Sequence, residues 1–187
     1  MLTVKAFGQT DKDEIKRTFK EYFQTVAQKD NAKTLGYIYP TLFDLFPKDK
    51  MLQAMDRMKA DTSTRITMEK DSVISISETL ELDGIKYALL KYSFKMTMTI
   101  LATADESDTE GEEDTNPSDF TYEMLKEKYG EKNVIYDRVH NKLYVNASNE
   151  MYSIFNPTYK GWKFLEKKES MKPTLEKLLP KKVLKLS

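Results

Sequence analysis

The apolar positions of this chain change period near residue 60. Before that point they recur at helical spacing. Ile15, Phe19, Tyr22, Phe23 and Val26 fall on one face of a roughly 3.6-residue repeat, which predicts an amphipathic helix over 11–29. Asp11, with Glu14 three residues on, reads as its N-cap. A second, short helix is expected over 31–38, ended by Pro40, because the residue before a proline disfavours helical angles. A third is expected from about Lys48 to Ala60, with Pro47 at its entrance and Met51, Leu52, Met55 and Met58 along one side.

Beyond residue 63 the pattern alternates. "STRITMEKDSVISIS" places Ile66 and Met68, then Ile74 and Ile76, on one face, with a polar "EKD" between them that suggests a bulge or turn. Asp83-Gly84 is a hairpin signal. The run 85–103 is the clearest strand: Ala88, Leu90, Tyr92, Phe94, Met96, Met98 and Ile100 on one face, Lys91, Ser93, Lys95, Thr97 and Thr99 on the other. A strand of that length is expected to curl, given the native twist of sheets. A helix follows at about 120–129, closed by Gly130. Short strands are expected at 133–138, 142–147 and 151–155, the last pairing with "YKGWKFLE". The tail, 166–187, interleaves lysines with Leu175, Leu178, Leu179, Val183, Leu184 and Leu186, and Pro180 breaks any continuous helix there. Those leucines predict a tail that docks. The whole is an α+β chain in which three N-terminal helices cover one face of a strongly curved antiparallel sheet, read as a single domain over 1–187.

Composition narrows the chemistry. A chain of 187 residues can bury about 70% of its unfolded surface without a staple. Thirty basic and thirty acidic residues leave a formal net charge of zero, so no overall field draws the chain to nucleic acid or an anionic membrane. The absence of cysteine excludes disulfides and thiolate chemistry, and a single histidine leaves a transition-metal site mostly carboxylate, which zinc seldom accepts. No metal or cofactor is expected. "MLTVKAFGQTDKDE" offers no apolar stretch of signal-peptide length, so the expected location is cytoplasmic. Residues 105–119 carry eight acids and no base. Aligning Gly111 with the glycine of an EF-hand loop puts Pro117 where the bidentate glutamate belongs, so the stretch reads as a solvated acidic loop, or as a partner for the lysine-rich tail.

The segment "IKRTFKEYFQTVAQKDNAKTLGYIYPTLFDLF", reinforced by the long strand at 85–103 and the closing "YKGWKFLE", resembles the nuclear transport factor 2-like superfamily, the cystatin-like α+β cones related to ketosteroid isomerase and polyketide cyclases. The resemblance spans about 11–166 in outline. It implies that Tyr37, Tyr39, Leu42, Phe43 and Phe46 pack between the helices and the mouth or inner wall of a curled sheet. In a gapless comparison Tyr22 matches the isomerase tyrosine that holds the oxyanion. The general-base aspartate falls on Phe46, before Pro47, and a phenylalanine cannot take a proton.

The candidate chemistry is therefore sparse. Tyr22 is a hydrogen-bond donor on an apolar helix face, and Asp44, Asp137 and His140 are the groups that could serve it as a base. His140 lies in "DRVHNK", which also reads as a hairpin turn facing solvent. With no convincing acid–base pair, the leading reading is a non-enzymatic domain. It would bind a small apolar molecule with Tyr22, Tyr37, Tyr39, Phe43, Phe46, Met96 and Trp162, or act as a homodimer through its sheet, without nucleic-acid or membrane partners. An isomerase, dehydratase or cyclase using Tyr22 is the alternative. A third reading, a purely structural or protein-binding module, predicts a core filled by side chains and an exposed apolar patch.

Overall fold

A computed structural model describes residues 5–60, 62–101 and 117–187 of the chain. Its elements run α1 (Lys5–Ala27), α2 (Asn31–Gly36), α3 (Lys48–Ala60), β1 (Thr64–Ile76), β2 (Leu80–Leu82), β3 (Ile85–Ile100), α4 (Pro117–Tyr129), β4 (Val134–Asp137), β5 (Lys142–Phe155), β6 (Lys163–Glu166) and α5 (Lys172–Leu178). The strands form a six-stranded sheet in the order β1-β3-β5-β4, with β2 paired to β3 and β6 to β5. β2–β3, β4–β5 and β5–β6 are antiparallel. The bonds from Ser77 N–H to Leu89 O and from Leu101 N–H to Ser63 O give β1 and β3 the same relation. Two compact units divide the chain: residues up to Asp56 with Asp71–Ser93 and Ser148–Ser187, and Arg57–Lys70 with Phe94–Ala147.

In the first unit the sheet is buried on both faces. Met151, Tyr152, Ser153 and Ile154 of β5 are all buried, as are Tyr87, Ala88, Leu89 and Leu90 of β3. Side chains alternate along a strand, so four buried positions in a row require a cover on each side. α1 is one cover. Phe19 stacks 4.7 Å from Tyr92 and 6.0 Å from Phe164, and Tyr22 lies 5.4 Å from Phe164. The other cover is the C-terminal segment. Leu175, Leu179 and Val183 join Tyr152, Ile154, Tyr87, Leu89 and Leu165 in one cluster with Tyr39 and Leu42, against which Met51 of α3 and Ile38 also pack. Helices thus lie on both faces, where the sequence suggested one. The tail's leucines supplied the second cover, at about 1.5–3 kcal/mol for each large apolar side chain fully buried.

The segment "GYIYPTLF" closes the free edge of β6. Tyr39 N–H bonds to Phe164 O at 2.9 Å and Phe164 N–H to Tyr37 O at 2.8 Å, making a single parallel bridge at Ile38. Pro40 then turns the chain into a 3-10 segment, Pro40–Asp44.

Several local expectations need correction. α1 begins at Lys5, so Asp11 is no cap; it is buried within the helix and accepts both bonds of the Lys86 ammonium at 3.0 and 3.1 Å. The "EKD" interruption does not break β1, and the strands expected at 142–147 and 151–155 are one continuous β5. The Asp83-Gly84 turn is as expected: both residues have positive φ, 52° and 76°, between the paired Leu82 and Ile85. The acidic stretch lies outside the described residues as far as 116, and residues 117–119 already belong to α4.

The second unit packs α4 on the β4–β5 hairpin. Val134 pairs with Val145 and Tyr136 with Leu143, which puts Val134, Tyr136, Leu143 and Val145 on one face. Tyr122 of α4 lies 5.6 Å from Tyr136, and Tyr129 lies 6.3 Å from Phe94 of β3. Leu125 is buried with them. Gly130, at φ 89°, ends α4 by donating its N–H to Lys126 O at 2.8 Å.

The two-sided cover predicts unequal losses. Phe19→Ala should lower stability by about 3–5 kcal/mol and Leu179→Ala by about 2–5 kcal/mol. Phe46→Ala, at a side chain 45% exposed, should change it by less than about 0.5 kcal/mol. Urea unfolding of the three variants measures this directly; equal values for Phe46 and Leu179 would contradict the tail's role as a cover.

Candidate functional site

The expected site residues scatter into packing roles. Tyr22 sits on the inner face of α1, with Phe19, Tyr37 and Phe164 around its ring at 6.2, 6.1 and 5.4 Å. Burial first, then the Glu166 carboxylate and Tyr92, push its hydroxyl well above the usual tyrosine range, so it is a neutral phenol. Tyr37 is half-buried and donates to Glu21 at 3.4 Å. Burial, then Glu21, raises its pKa also. Tyr39 is buried, 6.0 Å from the Tyr159 ring. Trp162 is 2% exposed, against Phe155 at 5.6 Å, and its indole N–H donates to Glu14 of α1 at 3.3 Å. Phe43 is half-buried beneath the Lys48 ammonium at 5.6 Å, while Phe46 is exposed. Met96 is buried on β3 within the second unit.

Of the four candidate catalytic groups, the structure brings together only Asp137 and His140. The imidazole Nδ1 lies 2.7 Å from Asp137 Oδ2, while the backbone N–H groups of Val139 and His140 donate to Oδ1, each at 3.1 Å. The His140 side chain, then the His140 backbone N–H, holds the Asp137 carboxyl below its ordinary range. This is the chemistry of a turn: the carboxylate organises the loop that joins β4 to β5, and His140 is exposed. Asp44 is exposed at the end of its 3-10 segment in the first unit. Among the described residues no group of three or more His, Asp or Glu side chains is placed to hold a metal ion, and no helix is long and apolar enough to cross a membrane.

Two concavities are lined by other residues. In the first unit a groove of about 280 Å3 runs between the sheet and the tail, over Tyr152, Leu175 and Leu184, with Glu150, Lys167, Lys168, Glu169, Lys172 and Glu176 at its rim. Its charges answer one another. Lys167 bonds Glu150 at 2.9 Å and Leu186 O at 3.3 Å, Lys168 pairs with Glu166, and Lys172 with Glu169 at 3.5 Å. The groove is a seam that fastens the tail.

The second concavity, of about 530 Å3, lies on the outer side of α4, lined by Phe120, Glu123, Met124, Lys126, Glu127 and Glu131. The inner side of the helix is committed. Besides the tyrosine contacts, Ser118 Oγ bonds Asn141 Oδ1 at 2.7 Å, and Asp119 pairs with Arg138 at 2.6 Å. Phe120 and Met124, one turn apart, are 69% and 49% exposed. An apolar pair so exposed on a helix already anchored through its opposite face has no packing role in the unit. Sequence reasoning passed over it although the signal was there: "FTYEMLKEKY" carries Tyr122, Leu125 and Tyr129 at one spacing and Phe120 and Met124 at another, one apolar stripe more than the packing of a short helix requires.

No family model, curated protein or solved structure matches the chain.

The seam predicts a pH-dependent contribution. Glu150 is held below its ordinary pKa by the Lys167 hydrogen bond first, with Lys91 adding to it. A carboxylate with a depressed folded pKa stabilises above its unfolded pKa, and that stabilisation disappears as pH falls through the folded value. Glu150→Gln should therefore cost about 1 kcal/mol near pH 7 and almost nothing near about pH 3, as read by urea unfolding at both. A pH-independent difference would contradict the ion-pair origin.

Proposed function

We propose that this protein is a non-enzymatic interaction module whose working surface is the outer face of α4. The observation that carries the reading is the exposed Phe120–Met124 pair on a helix whose inner face is fully engaged. The order of elements supports kinship with the nuclear transport factor 2-like superfamily: a long helix, a short one, an aromatic-rich exit and a third helix, followed by strands of 13, 16 and 14 residues.

The turn-bound Asp137, whose carboxylate is taken up by His140 and two backbone N–H groups, weighs against isomerase-type catalysis, which needs a donor and a base converging on one substrate. The rings of Tyr22, Tyr39 and Trp162 lie against neighbouring rings at 5.4–6.2 Å, which favours filling of the core over an apolar ligand there. A homodimer through the sheet would have to avoid the first unit, where both faces are covered.

A photo-reactive phenylalanine analogue at position 120, expressed in the source cells, is expected to form discrete protein adducts. The same group at the exposed Glu81 of β2 is expected to form none. Native mass spectrometry supplies the opposing arm: a retained small molecule lost on denaturation, with no adduct specific to position 120, would overturn the proposal in favour of a ligand carrier.

A further inference from the structure

The charges around Phe120 and Met124 specify what the face accepts. Lys126 lines the concavity, its ammonium 5.0 Å over the Tyr122 ring, while Lys128 lies 4.9 Å over the Tyr129 ring of the inner stripe. Lys126 also meets Glu123 at 3.1 Å and Glu131 at 3.8 Å. Three carboxylates, Glu123, Glu127 and Glu131, share the concavity with this one ammonium, which engages Glu123 and Glu131 and leaves negative charge in excess.

The residues also form a row. On α4, Phe120, Met124 and Glu127 fall at spacings of four and three, apolar towards the N-terminal end and acidic towards the other, with Phe120 and Glu127 about 10 Å apart at about 1.5 Å per residue; Glu131 joins the concavity from the turn beyond Gly130. Resting on the interaction reading above, we infer that this face docks a basic amphipathic helix of another protein, its apolar pair on Phe120 and Met124 and its lysines or arginines on Glu127, Glu131 and Glu123.

The alternatives fail on charge or supply. Anionic headgroups and nucleic-acid phosphates meet three carboxylates. A two-fold contact with a second copy could set Phe120 and Met124 on their own copies, but it brings no cation to the excess of carboxylates at Glu123, Glu127 and Glu131. The chain's own lysine- and leucine-rich tail has Leu175, Leu179 and Val183 buried in the first unit. Complementary charge sets partner choice and encounter rate, and the apolar pair supplies the centre of the contact.

The test uses the full chain and three synthetic helical peptides, followed by fluorescence anisotropy. One carries two leucines a turn apart followed by lysines over the next two turns. The second has glutamate for lysine, and the third has serine for leucine. The lysine peptide should bind at least about tenfold tighter than either of the others, a difference of about 1.4 kcal/mol. Its affinity should fall several-fold between about 50 and 300 mM salt. Phe120→Ser should weaken it at least tenfold without moving the thermal midpoint, and Glu127→Gln with Glu131→Gln should remove most of the lysine preference and of the salt dependence. Equal binding of lysine and glutamate peptides, indifference to Phe120→Ser, or sedimentation of the protein with neutral phosphatidylcholine vesicles in place of peptide binding would overturn the inference. Adducts at position 120 alongside peptides that do not discriminate would leave the interaction reading standing and remove only the basic partner. Absence of both would remove the two together.

Discussion

The consecutive burial of Met151, Tyr152, Ser153 and Ile154 is the constraint on which the first unit depends. A strand whose successive side chains are all excluded from water belongs to a sheet with no solvent face, and one helix cannot cover two faces. α1 covers the side of Tyr92 and Phe164. The side of Tyr152 and Ile154 has to be covered from elsewhere in the chain, and the segment that does so is the C-terminal one, through Leu175, Leu179 and Val183. The ion pairs along the seam follow from this arrangement. The Lys167 ammonium lies 5.9 Å over the Tyr152 ring and bonds Glu150 at 2.9 Å, at the border between apolar surface and water.

The same demand consumes the residues that look most like chemistry in the sequence. Tyr22, Tyr39 and Trp162 are aromatic because the space between α1, the sheet and the tail takes large side chains. Each hydroxyl or indole N–H among them is a small polar element on an apolar body. The Trp162 donor satisfies itself on Glu14, and the Tyr22 phenol is held neutral by its surroundings. Exposed apolar side chains are distributed differently: six of the nine large ones among the described residues, Met58, Leu101, Phe120, Met124, Ile135 and Val139, belong to the second unit.

Much of this organisation was legible along the chain. The third helix, the Asp83-Gly84 hairpin, the long third strand and the glycine stop after α4 follow from local chemistry: a proline at a helix entrance, positive φ at both turn residues, strict alternation, and a glycine at φ 89°. The candidate site was legible only in part: the amphipathic pattern of α4 shows two apolar stripes but says nothing about which of them finds a partner. Asp11 was misread for a similar reason. An acid near a helix start suits a cap, and only the approach of Lys86, distant in sequence, makes it the buried half of an ion pair.

By itself the sequence determined the α+β class, the helix and strand periods and the turn chemistry, because those depend on residues within a few positions of one another. Tertiary structure alone decided that helices lie on both faces of the sheet, that the tail is a cover, and that Phe120 and Met124 stand in solvent while Tyr122, Leu125 and Tyr129 do not. The physical reason is that burial belongs to pairs of surfaces: a stripe's period can be read from one segment, but whether it is covered depends on what another segment brings against it.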